Sequence, residues 1–367
     1  MIESYPITAI ADNWLHEAVV DIIITIHERL DNGNRVVTTQ NKLLHWRGLI
    51  PGFLPADKSQ KLISLRSVRD KVLEYARELQ RLRLTAQERA TIMETLTHQN
   101  DVPGLTSGNT PISSIENTFP TLNEKVKELF LLCYEKLGNV GSREAQYKLV
   151  YDSLTQKFCG FCGFGTMMNH EEASQDQDHY LAKSRYPFAA ANIRNLVPMC
   201  IQCNRIHKNA TDIIQDENLN RKHAFDPYTC NPTDLSLIQS YIAGNAVRVL
   251  PTWQTDFVPP SPSAENWDRV FNLRTRIKRD VLDECYNRWF TNFVVKCSRN
   301  RRQGMYQNPM SDQDIREVLF EHYNSLIDDL GSGKDRFKPH VFDLMLHLYD
   351  SGDDRVIAHI RDAVVGV

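Results

Sequence analysis

A chain of 367 residues, 41% hydrophobic and 24% charged, is long enough for two or three domains with at least one sizeable core. The longest apolar run, Ala18 to Ile26, is broken by Asp21 and falls short of a membrane span. A net charge of −3 excludes a uniformly basic polyanion binder, and eight cysteines in so long a chain exclude a small secreted disulfide scaffold. The opening Met-Ile-Glu-Ser lacks the basic and apolar regions of a signal peptide, so a cytoplasmic protein without membrane contact is expected.

The first part reads as helical. Asn13 to Leu30 carries apolar residues at helical spacing and stops near Asn32-Gly33, and Leu65 to Arg83 is a basic amphipathic stretch. Thr85-Ala-Gln-Glu88 and Thr121-Leu-Asn-Glu124 each have the pattern of a capping box, the second opening a helix to about Leu137 that Gly138 stops. Between them, Asn100 to Pro120 is rich in Gly, Pro, Ser, Thr and Asn and reads as a linker or long loop. Ser142 to Leu154 forms a further helix leading to the first cysteine pair. Later come a helix near Asp234 to Ile242, an extended piece at Ala246 to Leu250 and a stiff boundary at Val258-Pro-Pro-Ser-Pro-Ser263. Helices follow over Ala264 to Ser298, Asp312 to Leu330, Pro339 to Tyr349 and Arg355 to Val364. The expected fold is mostly α with a small α+β insert: a helical region over 1–155, a metal-bound core over 156–231 and a helical region over 232–367.

The chemistry lies in the middle. Cys159-Gly-Phe-Cys162 and Cys200-Ile-Gln-Cys203 are two Cys-x-x-Cys pairs separated by 37 residues, a pattern that can close a tetrahedral thiolate shell around zinc. Such a shell has no open coordination position, so the zinc is structural and any catalysis comes from residues it holds. Asp178 and His179 are adjacent and followed by Tyr-Leu, which suits a short strand. Neighbouring side chains on a strand point apart, so Asp178 can hold a cation while His179 stays free as a base. Asn204 directly follows the last cysteine, at the start of a short helix through Ala210, and its amide oxygen can complete a site for Mg²⁺ or Mn²⁺. From His179 to Ala210 the chain has five basic residues, Lys183, Arg185, Arg194, Arg205 and Lys208, and no acidic one. These are candidate phosphate contacts, with solvated surface the competing reading. His207 has the same two readings. From Arg274 to Arg302 basic residues outnumber acidic ones nine to three, near Trp289, Phe290, Phe293 and Tyr306. That stretch is either a solvated helix face or a nucleic-acid surface.

Asp178-His179, Asn195-Leu196-Val197-Pro198, Cys200-x-x-Cys203-Asn204 and Lys208 together resemble the HNH endonuclease family, in its zinc-bound, endonuclease VII-like form, over residues 157 to 230. The resemblance implies a ββα-metal (His-Me finger) nuclease core. It makes His179 the general base, Asp178 and Asn204 the ligands of a catalytic Mg²⁺ or Mn²⁺, and Asn195 the residue that ties the loop between the strands and orients His179. Lys208 matches a lysine common late in the motif helix, and His223-Ala-Phe-Asp-Pro227-Tyr228 is similar to a degenerate downstream His-Pro-Tyr element. Two positions depart from the pattern: Asn204 stands where the motif ends in His, and Ala182 where a proline is often found. The implied activity is metal-assisted hydrolysis of phosphodiester bonds in DNA, with RNA as the other polynucleotide class. Family association further suggests an effector of bacterial anti-phage defence, with an ATPase or regulatory protein as partner. The competing class is a non-catalytic, zinc-ribbon-like module that binds nucleic acid or protein.

Overall fold

The apolar residues of the N-terminal region recur at helical spacing, and each such run forms a helix with one face turned inward. The computed structural model describes residues 3–38, 42–43, 45–172, 177–231, 233–242, 250–305, 310–328 and 331–365. The chain forms two compact units, one of residues 4–157 and 167–231, the other of residues 1–3, 158–166 and 232–367. The segments 1–155 and 156–231, expected as separate regions, therefore fall largely within one unit. No helix among the described residues is long and apolar enough to cross a membrane.

In the first unit, α1 (Trp14–Asp31) buries Leu15, Val19, Ile22, Ile23 and Ile26. After α2 (Ala56–Ser64), α3 (Arg66–Leu82) buries Val68, Val72, Tyr75, Ala76 and Leu79, an i, i+4, i+7, i+8 stripe. Thr85 and Glu88 form the expected capping box at the start of α4 (Ala86–Asn100). The segment expected as a linker is packed: Asp101 caps α5 (Val102–Ser107) by accepting from the Gly104 N–H, and Val102 and Ile115 are fully buried. The second capping box does not form. The helix α6 (Pro120–Val140) begins two residues earlier, because Pro120 fits a first turn whose N–H is unused, and the Thr121 hydroxyl donates to Glu78 instead. Gly138 is carried inside α6, and the stop is Gly141 at φ +86°. The helix α7 (Ser142–Ser153) then leads to the cysteine region.

The core of α1, α3 and α6 extends into the segment 188–196, where Phe188, Ala190, Ala191, Ile193 and Leu196 join the same buried cluster. Phe188 packs edge-on against Phe130 at 5.7 Å, and its backbone N–H donates to Gln99 Oε1 at 3.0 Å. Asn13 Oδ1 accepts from the Ile193 N–H, and Gln146 Nε2 donates to the carbonyls of Ile193 and Leu196. Four helices thus grip one loop, and that loop carries the candidate site.

Two histidines of this core make a pH prediction. Burial pushes both His16 and His27 down to about 4. The unfolded chain, with ordinary histidines near 6.5, then binds more protons than the folded one between pH 6.5 and about 4. Stability falls as pH drops through that window, by about 1.4 kcal/mol per pH unit for each histidine. Thermal unfolding is expected at a lower temperature at pH 5 than at pH 7; an unchanged midpoint would contradict the assignment.

In the second unit, residues 234–242 are not helical. Thr233, Leu235 and Leu237 alternate inward with period two, and β3 (Asp234–Ser236) pairs antiparallel with β4 (Asp256–Val258). Of the extended piece expected at Ala246 to Leu250, all but Leu250 lies outside the described residues. The proline-rich segment closes β4 at Val258 and opens α8 (Pro262–Phe271), capped by Ser261, so it joins two elements of one unit. The long helix expected to Ser298 is broken at Asn272, φ +50°, into α8, α9 (Leu273–Arg276), a π-helical stretch (Ile277–Leu282) and α10 (Asp283–Arg302). Trp289, Phe290 and Phe293 are buried in that unit's core and offer no stacking platform; Tyr306 lies outside the described residues. The remaining helices, α11 (Asp312–Asp328), α12 (Lys338–Asp350) and α13 (Asp354–Val365), match the sequence reading within two residues.

Candidate active site

The site is built on a short antiparallel pair. β1 (Gln177–His179) runs against β2 (Leu196–Pro198), with Asp178 opposite Val197 and His179 opposite Leu196. Cys200 lies two residues beyond the end of β2, and a π-helical segment, Gln202–Lys208, carries Cys203, Asn204 and Lys208. A cavity of about 490 Å³ opens between strand and helix, bordered by Asp178, His179, Lys183, Asn204, Arg205 and Lys208. Asp178 and His179, the last two residues of β1, both border this cavity.

The His179 ring is nearly buried, and its Nε2 lies 2.9 Å from the Ala190 carbonyl oxygen. A carbonyl can only accept, so neutral His179 carries its proton on Nε2, and Nδ1 is the nitrogen with the lone pair. Burial first, then the charges of Lys183, Lys208 and Arg143, push its pKa down to about 3, against the opposing pull of the Ala190 carbonyl. His179 is therefore neutral at pH 7, with the Nδ1 lone pair unprotonated.

Asn195 is fully buried just before β2, and its amide is fully used. Oδ1 accepts from the Leu181 N–H at 2.6 Å, while Nδ2 donates to the carbonyls of Leu181 and Ala189, both at 3.1 Å. Its own carbonyl accepts from the Tyr180 N–H at 2.8 Å. The amide spans the loop between the strands and sets the backbone next to Ala190, the partner of His179. Replacing Asn195 by alanine removes the side-chain partner of both the Leu181 N–H and the Leu181 carbonyl, and leaves the Ala189 carbonyl with the Asn192 N–H alone. A loss of about 2–4 kcal/mol of unfolding free energy is expected, measurable by urea denaturation; a loss under about 0.5 kcal/mol, the range of an ordinary surface change, would refute the strut role.

Asp178 does not stand alone. The Lys208 Nζ sits 2.6 Å from its Oδ2 and also donates to the His179 carbonyl at 2.9 Å. Burial pushes the Asp178 carboxyl up, and the Lys208 charge pulls it back down. Lys208, expected as a surface phosphate contact, is only 1% exposed and spends its charge on Asp178. The other basic candidates divide. Lys183 and Arg205 are exposed at the cavity. Arg185 is held by Asp212 at 3.0 Å and Arg194 by Asp226, and neither borders the cavity.

Two residues that sequence reasoning passed over, Tyr134 and Gln177, also line the cavity, and a third, Arg143, contacts both of them. Tyr134, from α6, lies against the His179 ring with centroids 4.4 Å apart. Arg143 and Lys183 both approach its ring, at 4.8 and 5.7 Å from the centroid. Gln177 accepts from Arg143 Nε at 3.0 Å and so ties β1 to α7. Tyr134 sits four residues from Phe130 on an apolar helical stripe, and nothing in that pattern separates it from a core aromatic. The downstream element has a structural part: the Tyr228 hydroxyl donates to the Leu196 carbonyl at 2.8 Å and pins β2.

All four cysteines of the paired motifs are buried, and their Sγ atoms lie within 4.8 Å of one another. Four thiolates at about 2.3 Å from a tetrahedral zinc would stand roughly 3.8 Å apart, so the cluster can hold a metal ion such as zinc. Gly163 takes φ +77°, and its N–H closes the first knuckle onto the Cys159 carbonyl at 2.8 Å. The Gly165 N–H points to Cys162 Sγ at 3.3 Å, a contact that stabilises a thiolate. All eight cysteines are free of disulfides. Comparison of the chain with protein-family models, with curated proteins and with solved structures finds no match to any of them.

Proposed function

We propose that the protein is a metal-dependent nuclease of the HNH, ββα-metal type that hydrolyses phosphodiester bonds of DNA, with its four cysteines holding a structural zinc. One observation carries the reading: a neutral histidine with a fixed tautomer borders the same cavity as a carboxylate and a carboxamide. The donors Asp178 and Asn204 are hard oxygen ligands and fit Mg²⁺ or Mn²⁺ better than a soft metal. Such an ion, when bound, supplies Lewis-acid charge to a phosphodiester.

The chain's own residues do the rest. His179 accepts a proton from water at Nδ1, while Nε2–H stays on the Ala190 carbonyl and keeps the ring in register. Asn195 positions that carbonyl through Ala189 and Leu181. Tyr134 backs the ring, and Lys183 and Arg205 supply positive charge at the rim for flanking phosphates. Contacts of this kind read backbone rather than bases, so cutting without sequence preference is the expectation. A role as an effector of bacterial anti-phage defence, with an ATPase or regulatory partner, belongs to the same proposal.

The Lys208–Asp178 ion pair favours a second reading. A carboxylate already neutralised by a buried ammonium needs no cation, as in a zinc module that only binds nucleic acid. The experiment that separates the two is incubation with plasmid and single-stranded DNA or RNA in Mg²⁺, Mn²⁺ or chelator. Cleavage that chelator abolishes supports the nuclease; binding in chelator with no cleavage under any ion overturns it.

A further inference from the structure

Four arginines of the first unit converge on a second cavity that the catalytic reading does not use. It has a volume of about 680 Å³ and is lined by Arg35, Arg77, Arg81 and Arg83, with Gln80 and Asn34 between them. Arg77 and Arg81 stand one turn apart on α3, about 6 Å along the axis at 1.5 Å per residue. Arg83 leaves the end of that helix at φ +50°, and Arg35 faces them from the segment after Gly33, itself at φ +73°. All four are exposed, and among the described lining residues there is neither a carboxylate nor an aromatic ring. Of the acids nearest in sequence, Asp31 is paired with Arg89 outside the groove, while Glu78 holds Arg81 through both oxygens and offsets that one arginine's charge. Gln80 is committed too, its Oε1 accepting from the backbone N–H groups of Val36 and Val37 at 3.3 and 3.4 Å.

From this we infer that the groove binds the phosphate backbone of a nucleic acid, as a contact surface separate from the 490 Å³ cavity. A guanidinium presents two parallel N–H groups to phosphate oxygens, and the exposed guanidiniums of Arg35, Arg77 and Arg83 can engage neighbouring phosphates of one strand. The lack of any ring on which a base could stack argues for backbone rather than base recognition. All the charged residues of this open lining are cationic, and Leu30 and Val37 are its only large apolar members among the described residues, unlike the predominantly apolar walls of a small-molecule pocket. The inference shares with the proposed function only the class of ligand, and its test excludes divalent ions so that the two stand or fall separately.

The test is fluorescence anisotropy of labelled duplex and single-stranded DNA in chelator, across a salt series. It compares wild type, a triple Arg35→Gln/Arg77→Gln/Arg83→Gln variant and a control, Arg66→Gln, which alters an exposed arginine of α3 outside the groove. The triple variant is expected to bind at least about tenfold more weakly, with a salt slope lower by about three, while the control binds as wild type. Equal thermal midpoints for the three proteins would show that folding is intact. Wild-type affinity and slope in the triple variant would overturn the inference. So would a variant that keeps its DNA affinity but loses binding of inorganic triphosphate, which would mark a small-anion site instead.

Discussion

Replacing His179 with alanine is expected to lower DNA cleavage by about 10²- to 10⁴-fold, the range that a positioned general base contributes, with folding and metal content retained. The expectation follows from the tautomer. Because Nε2–H is fixed on a carbonyl, no other nitrogen of the ring can serve as base, and no second histidine borders the cavity among the described residues. His179→Gln sharpens the test. Its amide can still donate to Ala190 but offers no basic nitrogen, so it should be as inactive as the alanine variant. Cleavage by either variant within tenfold of wild type would remove His179 from the mechanism. A loss accompanied by unfolding would be read instead from the fall in thermal midpoint, which is why both substitutions are needed.

The second large effect concerns the four cysteines. The purified protein is expected to carry one tightly held zinc per chain, and Cys203→Ser to abolish it. Loss of a structural metal is among the few single changes that exceed about 4–5 kcal/mol. Cys203 immediately precedes Asn204 on the same π-helical segment, so the variant should lose both stability and cleavage. Thermal melting, metal analysis and a thiol reagent under native conditions check this together. Native protein without metal, whose four thiols react freely with the reagent, would show that the cluster is only a set of packed cysteines.

How far the sequence led depended on the kind of signal. The paired cysteines were legible because metal binding needs particular residue types at particular spacings, and Asp178, His179 and Asn204, singled out by a pattern of the same kind, border one cavity. Helices with strong apolar stripes, such as α1 and α3, were legible for the same reason in simpler form. What failed was local punctuation overruled by packing. Thr121 had a capping pattern, but Pro120 offered a better first turn and Glu78 a better partner. Residues 100–120 had the composition of a linker, but Val102 and Ile115 are buried. Lys208 looked like a surface charge because the burial of a lysine depends on a partner distant in sequence, here Asp178. Tyr134 and Arg143 were invisible because they reach the site from helices that carry no motif.

The grip of α1, α4, α6 and α7 on the loop around Phe188 and Ile193 bears on how the protein can be dissected. A fragment cut to residues 156–231 would expose Phe188, Ala190, Ala191, Ile193 and Leu196 to water and strip the Phe188 and Ile193 amides of their acceptors. The motif is thus not a portable cassette; any truncation that keeps this packing has to retain the chain from before Asn13 through Gln146.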